Sequence, residues 1–241
     1  MEVNLLSLRE GAEKAKGVAI VIDVFRAFTC ASVLFGLGVE KIIFVAEPED
    51  GLALKRERPD LVMLGEVNGE PLDGYEFGNS PTELLSRDRE YFAGRTAVQR
   101  TSSGVQGTLI ALERAREVFL AGYVNARATA EYVKKLAPGQ VSIVAMGRNM
   151  KETAAEDELC ARYIGSLLGH GEYDHREAVR ELLFSPMTRL FTGGDYPHFP
   201  AEDPIICLQR DLYDDIVIQA GKEDGLVVAR PIPDALITRR K

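Results

Sequence analysis

Short apolar runs alternate with longer mixed segments along most of the chain, and this alternation predicts strands and helices in turn. The strand-like runs are rich in Val, Ile and Leu, and they lie at residues 18–22, 41–45, 61–64, 96–99, 117–121 and 140–146. Helix-like segments separate them, and the longest of these runs from Thr153 to Leu168. Such alternation is typical of a mainly parallel sheet with helices on both faces. The pattern therefore predicts an α/β fold.

The two ends of the chain are less regular than its middle. Met1 to Leu6 has the pattern of an edge strand, and the alternation lapses after His170. The C-terminal third then predicts a helix at 175–184, a loop at 192–204, a helical segment at 205–220 and a strand at 226–229. We expect one α/β domain over residues 1–241 with a less regular C-terminal third. A separate cap from about residue 170 is the alternative.

Charged and polar residues stand directly after the apolar strands. Asp23 and Arg26 follow the first buried run, and Glu66 follows the run at 61–64. The later strands end in Arg100 with Thr101 and Ser102, in Asn125, and in Arg148 with Asn149. Parallel strands present their carboxyl ends at one edge of the sheet, where α/β proteins bind ligands. We therefore expect these groups to converge on a shared site for an anion and a metal ion.

Four carboxylates are candidate ligands for Mg²⁺, which takes hard oxygen donors, keeps several waters and contacts substrate phosphates. They are Asp23, Glu66 and the pair Glu156 and Asp157 at the start of the long helix; the pair also suits a general acid or base. Simpler explanations stay open: a helix cap for Asp23, a solvated loop charge for Glu66, and favourable placement at a helix N-terminus for the pair. Arg26 suits either an oxyanion clamp or a salt bridge.

A small, hydroxyl-rich and glycine-bearing loop opens the helix after the fourth strand. It contains Thr101, Ser102, Ser103 and Gly104 and extends to Thr108. Backbone N–H groups at such a helix start can hold a phosphate or sulfonate. The loop is not a P-loop because no G-K-[ST] follows it, and ordinary helix capping is an alternative explanation.

Composition narrows the partners and the compartment. The 241 residues are 46% hydrophobic and 27% charged with a net charge of −8, which opposes general affinity for nucleic acid or an anionic membrane. The three cysteines are far apart, and neither a signal peptide nor an apolar run of about 20 residues is apparent. We expect a cytoplasmic protein that binds a small anion through Arg side chains, backbone amides or a metal ion.

Several motifs together resemble one known family, the 2-phosphosulfolactate phosphatases. The resemblance covers roughly Val18 to Ile164 and is carried, in chain order, by Ile22-Asp23-Val24-Phe25-Arg26-Ala27, Leu64-Gly65-Glu66, Phe77-Gly78-Asn79-Ser80-Pro81, the loop from Thr101 to Thr108, and Glu156-Asp157-Glu158-Leu159-Cys160-Ala161. The F-G-N-S-P block is the most specific of these. The C-terminal third resembles the family less.

The resemblance implies an α/β fold of the family's own type and a Mg²⁺-dependent reaction. That reaction is hydrolysis of (2R)-2-phospho-3-sulfolactate to 3-sulfolactate and phosphate, a step of coenzyme M biosynthesis. Many members have Thr-Asn-Gly-Thr where this chain has Thr101-Ser102-Ser103-Gly104-Val105-Gln106-Gly107-Thr108. Two alternatives therefore stay open: a Mg²⁺-dependent phosphatase of another small phosphorylated acid, and a non-catalytic anion-binding module.

The working hypothesis assigns a role to each candidate residue. The catalytic residues are Asp23, Arg26, Glu66 and Arg100; the metal ligands are Asp23 and Glu66 with Glu156 or Asp157; and the substrate-binding residues are Asn79, Ser80, Thr101, Ser102, Ser103, Gly104, Asn125 and Arg148. The nucleophile is either a metal-bound water or Asp23. Phe25 stands where haloacid-dehalogenase phosphatases have the second aspartate of D-x-D, and this disfavours Asp23 as the nucleophile. A homo-oligomer is left open.

Overall fold

The computed structural model describes residues 1–233, and within them ten strands form one sheet. The strands are β1 Glu2–Ser7, β2 Val18–Ile22, β3 Lys41–Phe44, β4 Val62–Val67, β5 Glu70–Pro71, β6 Thr96–Arg100, β7 Glu117–Ala121, β8 Gln140–Ala145, β9 Ile218–Glu223 and β10 Leu226–Pro231. The helices are α1 Leu8–Lys14, α2 Ala27–Gly36, α3 Pro48–Glu57, α4 Pro81–Leu85, α5 Arg89–Phe92, α6 Gly104–Ala111, α7 Ala126–Leu136, α8 Ala155–Leu167, α9 His175–Leu183, α10 Pro186–Thr192 and α11 Asp203–Cys207.

The sheet has the strand order β1-β8-β2-β7-β9-β10-β3-β6-β4-β5. Two groups of parallel strands, β1-β8-β2-β7 and β3-β6-β4, lie on either side of the antiparallel hairpin β9–β10. The predicted α/β fold with a mainly parallel sheet is confirmed. The helical segment predicted at 205–220 is wrong, because α11 ends at Cys207 and the chain from Ile218 fills the gap between β7 and β10 as a strand.

The hairpin reverses the direction of the second parallel group. Three successive antiparallel pairings, β7–β9, β9–β10 and β10–β3, make β3, β6 and β4 run opposite to β7. In a flat sheet the carboxyl ends of the two groups would lie on opposite edges, so the expectation of one shared edge needs correction. Strands rotate by about 20–25° per step, and over these steps the sheet bends around α2 and α6. The side chain of Gln99 in β6 consequently reaches the Ala27 carbonyl at the start of α2, at 2.9 Å.

Strand β2 is buried on both faces, which explains its unbroken apolar run. Ala19 and Val21 pack in the cluster that contains α2 and α6. Val18, Ile20 and Ile22 pack in a second cluster with residues of α7 and α8. Asp23 directly follows β2, and the packing on both faces of this strand therefore fixes its backbone position.

The predictions about chain organisation have different outcomes. The N-terminal edge strand is confirmed as β1, and the helix α1 follows it. No helix within residues 1–233 is long and apolar enough to cross a membrane. The three cysteines are buried and free. The single domain, the cytoplasmic location and the homo-oligomer stay predictions.

Candidate active site

An open cavity of about 90 Å³ lies where β2, β4 and β8 end and the N-termini of α6 and α8 begin. Nine of the residues predicted from the sequence line it: Asp23, Arg26, Glu66, Asn79, Ser102, Ser103, Arg148, Glu156 and Asp157. They span more than a hundred residues of sequence. The convergence expected from the strand ends is therefore present, although sheet curvature rather than a common edge produces it.

Asp23 lies at the floor of the cavity and is 6% exposed. Its Oδ1 accepts a hydrogen bond from the Ala27 amide at 3.0 Å, and its Oδ2 accepts one from the Gly104 amide at 2.8 Å. Burial raises the pKa of Asp23 to about 6, and the charge of Glu66 adds to this, while the two amides act in the opposite direction. A Cβ on Gly104 would lie 2.8 Å from Asp23 Oδ2, so only glycine permits this close approach.

Asp157 and Glu156 begin α8, and each is 3% exposed. Asp157 joins two strand ends, because its carboxylate accepts the amides of Val24 at 2.7 Å and Gly147 at 2.8 Å. Burial, together with the charges of Asp23 and Glu156, raises the pKa of Asp157 well above its usual range. Burial likewise raises the pKa of Glu156 to about 7, with a contribution from Asp23.

Glu66 ends β4 and holds two loops against each other. Its Oε1 accepts the Ser102 amide at 2.6 Å, and its Oε2 accepts the Ser102 hydroxyl at 3.0 Å and the Gly69 amide at 2.5 Å. Ser102 therefore faces Glu66 as well as the cavity. Nearby, Asn79 lines the cavity with its Oδ1 held by Gln99 at 3.3 Å.

Arg26 is 3% exposed and forms a buried ion pair with Asp203. Its Nη1 donates to Asp203 Oδ2 at 2.7 Å and to the His198 carbonyl at 2.9 Å. The guanidinium also stacks with two aromatic rings, at 5.3 Å from the centroid of Phe191 and 4.9 Å from that of Phe199. Both of the sequence-based alternatives for Arg26 are thus compatible with its position, since it is ion-paired and also lines the cavity.

Arg100 is not one of the residues that line the cavity, and its catalytic role stays a prediction. Its guanidinium donates to the carbonyls of Ala46 at 3.2 Å and Glu66 at 2.7 Å, and to the Ser102 hydroxyl at 3.3 Å. Because its donors are directed at backbone carbonyls, Arg100 fixes the two loops that carry Glu66 and Ser102.

Four predicted substrate-binding residues have structural contacts instead of a place on the cavity wall. Ser80 caps α4 by accepting the Glu83 amide, and Thr101 accepts the Val105 amide. The Gly104 amide is already directed at Asp23. Asn125 is fully buried and bonds to the Gly122 amide and the Leu120 carbonyl. Helix and turn capping accounts for these contacts, as the sequence had allowed for the loop at Thr101.

The loop after β8 brings an unpaired cation to the cavity. Gly147, Asn149 and Met150 have φ values of 61°, 50° and 55°. A non-glycine residue in this region costs about 1 kcal/mol or more, and such strain is frequent at functional sites. Arg148 and Asn149 both line the cavity, and the Arg148 guanidinium has no hydrogen-bond or ion-pair partner among residues 1–233.

The sequence reasoning missed the wall that the C-terminal third contributes. Met187, Leu190, Phe191 and Phe199 line the cavity, and fully buried Asp203 stands behind Arg26. One signal existed: an arginine between a buried strand and an apolar helix needs a buried carboxylate. The sequence did not show which carboxylate it was, because Asp203 lies 177 residues away.

The donors around the cavity fit a hard cation in chemistry. Within residues 1–233, no group of three or more His, Cys, Asp or Glu side chains is arranged as a metal site. Mg²⁺ does not need such a cage, since one or two carboxylates, waters and substrate oxygens usually hold it. Asp23 and Glu156 suit this role because both line the cavity, and because the charge of Asp23 contributes to the raised pKa of Glu156.

Comparison with known proteins agrees with the motifs. Residues 6–185 match the family model described as 2-phosphosulpholactate phosphatase. A protein of Bacillus subtilis named "Probable 2-phosphosulfolactate phosphatase" is 33% identical over 213 residues, which cover 87% of this chain and 89% of that protein. Proteins with the same name from Deinococcus radiodurans (33% identical; 74% and 71% covered) and Thermus thermophilus (34%; 69% and 68%) are also similar. The chain therefore belongs to the 2-phosphosulpholactate phosphatase family, whose named members are phosphoric monoester hydrolases.

Proposed function

We propose that this protein is a Mg²⁺-dependent phosphatase that hydrolyses 2-phosphosulfolactate to 3-sulfolactate and phosphate, a reaction of the kind used in coenzyme M biosynthesis. Family membership supports the reaction class, and the relatives' names support the substrate. The observation that carries the proposal is the set of buried carboxylates around one cavity, next to guanidinium groups and backbone amides.

The charges on the cavity wall explain why a cation is part of the proposal. Four carboxylates line it, from Asp23, Glu66, Glu156 and Asp157, against two guanidinium groups, from Arg26 and Arg148. The wall therefore has an excess of negative charge, while the proposed substrate carries phosphate, carboxylate and sulfonate groups. A divalent cation held by Asp23 and Glu156 would reduce the repulsion among the wall carboxylates and their repulsion of the anionic substrate. When bound, it would supply Lewis-acid stabilisation of the phosphoryl oxygens.

The chain's own residues hold the substrate and the proton that moves. Arg148 has a free guanidinium for an acidic group of the substrate, and Arg26 faces the same cavity. Burial and the charges of Asp23 and Glu156 raise the pKa of Asp157, which also lines the cavity, so this carboxyl rather than the cation-holding Glu156 is the candidate to deliver a proton to the leaving alkoxide. Charge neutralisation by these groups is the main catalytic need, since unaided phosphate-monoester hydrolysis is extremely slow.

The contacts of Asp23 favour water over Asp23 as the nucleophile. Both oxygens of Asp23 already accept backbone amides, which orients the carboxylate and lowers its reactivity towards phosphorus. Phe25, at the second position of the D-x-D pattern, instead packs on Phe191 with 5.3 Å between ring centroids. The stereochemistry at phosphorus tests the assignment, because one direct attack by water inverts the configuration of a chiral phosphate whereas two displacements through an aspartyl-phosphate retain it.

One observation favours a second candidate, a phosphatase of another small phosphorylated acid. Phe25, Met187, Leu190 and Phe199 are half-buried apolar side chains on the cavity wall. A sulfonate makes no use of such a surface, whereas an alkyl group would bury apolar area there at about 25 cal/mol per Å².

Phosphate release from synthetic 2-phosphosulfolactate tests the proposal. We expect turnover with Mg²⁺, loss of turnover with a chelator, and recovery when Mg²⁺ is restored. Efficient turnover of 2-phospholactate or phosphoglycolate without preference for the sulfonate supports the second candidate. Thermal stabilisation by these anions without phosphate release contradicts both and identifies a binding module.

A further inference from the structure

We propose that Asp203, in the C-terminal third of the chain, positions Arg26 so that the Nε–Nη2 edge of its guanidinium receives a substrate oxyanion. The inference rests on the proposed function for the identity of the substrate, but not for the geometry. Asp203 lies beyond residues 6–185, which match the family model.

The hydrogen bonds of Arg26 leave one edge of its guanidinium unused. Arginine has five N–H donors, of which Nη1 carries two. Both Nη1 donors are taken, one by Asp203 Oδ2 and one by the His198 carbonyl. Among the described residues no partner is found for Nε or Nη2, although the residue is 3% exposed and lines the cavity. The Nε–Nη2 pair is an edge that binds carboxylate or phosphate through two parallel hydrogen bonds.

Asp203 is itself held in one orientation. Its Oδ1 accepts the Ser80 hydroxyl at 2.8 Å and the Thr82 amide at 3.1 Å, both at the start of α4. Its other oxygen is thereby directed at Arg26, and the residue is completely buried. The rings of Phe191 and Phe199 restrain the guanidinium plane. Asp203 thus links the F-G-N-S-P block to Arg26.

The test compares four variants for binding of inorganic phosphate by calorimetry and for KM and kcat with whichever phosphomonoester the wild type hydrolyses. Asp203→Asn keeps an acceptor for Ser80 and Thr82 but turns an amide N–H₂ towards Arg26 Nη1. Arg26→Ala removes the edge, and the double variant removes both charges. Glu202→Gln is the matched control, since this exposed neighbouring carboxylate makes no hydrogen bond within the described residues.

We expect Asp203→Asn to raise KM and the phosphate Kd about 10-fold or more, as for loss of a charge-assisted hydrogen bond. Arg26→Ala should have at least this effect. The double variant should bind phosphate within about 2-fold of Arg26→Ala. It should also melt at a higher temperature than Arg26→Ala, because it leaves no buried charge unpaired. Glu202→Gln should match the wild type within about 2-fold.

Three results would overturn the proposal. They are unchanged phosphate affinity in Asp203→Asn, losses that multiply in the double variant, and a double variant that fails to fold where Arg26→Ala folds. If Asp203→Asn does not fold, the comparison of phosphate affinity between the double variant and Arg26→Ala still tests whether Asp203 acts through Arg26. If the wild type hydrolyses no phosphomonoester, the proposed function fails, and the phosphate arm tests Asp203 by itself.

Discussion

The cavity has two walls that treat buried charge in opposite ways. On one wall the charge of Arg26 is matched within the protein by Asp203, the His198 carbonyl and two aromatic rings. On the other, Asp23, Glu156 and Asp157 crowd together, and burial raises the pKa of each. The charge of Arg26 on the first wall is neutralised when the chain folds. The carboxylates of the second wall destabilise the folded protein until they bind a cation or protons.

This difference separates charge that is neutralised within the protein from charge that needs a ligand. A buried ion pair neutralises its own charge and holds segments in place, while donors that it leaves unused stay available to a ligand. A cluster of like charges in a cleft, with raised pKa values, is typical of a site that binds or transfers something. Substitutions on the two walls should therefore change stability in opposite directions.

Asp23→Asn should have the largest effect on activity. An amide supplies one acceptor and one donor where the Ala27 and Gly104 amides both need acceptors, and it removes the charge that would hold a cation. We expect kcat/KM to fall at least about 10³-fold while the far-ultraviolet circular dichroism stays that of the wild type. Near-normal turnover would mean that Asp23 is only a helix cap.

Asp203→Ala should have the largest effect on stability. It leaves the Arg26 guanidinium buried without its partner and removes the acceptor for Ser80 and Thr82. Removing one member of a buried pair costs about 3–5 kcal/mol. Urea denaturation measures the change in the free energy of unfolding; a loss below about 1 kcal/mol would show that Arg26 does not depend on Asp203 for its stability in the core.

Glu156→Gln should raise the stability of the protein, in contrast to Asp203→Ala. The pKa of Glu156 is about 7 in the folded protein against 4.5 as its ordinary value, so the folded state binds the proton more tightly. This group therefore lowers stability as pH rises from about 4.5 to 7, and the whole penalty is present above that range. We expect the variant to gain on the order of 2–3 kcal/mol at pH 8 and little at pH 4. Equal gains at both pH values would contradict the assignment.

Gly104→Ala should produce a moderate loss. Its Cβ would lie 2.8 Å from Asp23 Oδ2 and 2.9 Å from the Ala27 Cβ, so the start of α6 must move away from β2. Overpacking of this kind costs about 1–3 kcal/mol. A matched control is Gly139→Ala, where a Cβ meets nothing within 4 Å. Equal melting temperatures for the two variants would show that the contact between Gly104 and Asp23 is loose.

Asn125→Ala should have the smallest effect on catalysis. Its side chain bonds only to the Gly122 amide and the Leu120 carbonyl within the described residues, away from the cavity wall. We expect a stability loss of about 1–2 kcal/mol and kcat/KM within about 2-fold of the wild type. A large loss of kcat/KM at full stability would restore its predicted substrate contact.

The sequence was sufficient for the elements with strong local patterns. The buried run at Val18–Ile22 and the long helix at 153–168 were both predicted, and they are β2 and α8. Ile218–Glu223 was misassigned because its strand is imposed by pairing with β7 and β10. Nothing in the local sequence encodes that pairing.

The same division holds for the site. The sequence identified the six charged side chains on the described cavity wall, because strand ends and helix starts are where α/β folds bind ligands. The direction of each side chain was not predictable: Arg100 turns to carbonyls, and Asn125 to a turn. Asp203 was missed because its role depends on a contact with Arg26 across 177 positions of sequence.

Cation binding by the wall with Asp23, Glu156 and Asp157 is the central claim. Calorimetric titration of Mg²⁺ into metal-free protein at pH 6.5, in buffers of different ionisation enthalpy, tests it most directly. With pKa values of about 6 for Asp23 and about 7 for Glu156, binding should release about one proton. Release should fall towards zero by pH 8.5, and Glu156→Gln should remove most of it at pH 6.5. Absence of Mg²⁺ binding in the presence of phosphate, or binding without proton release, would contradict the cation's place at these carboxylates.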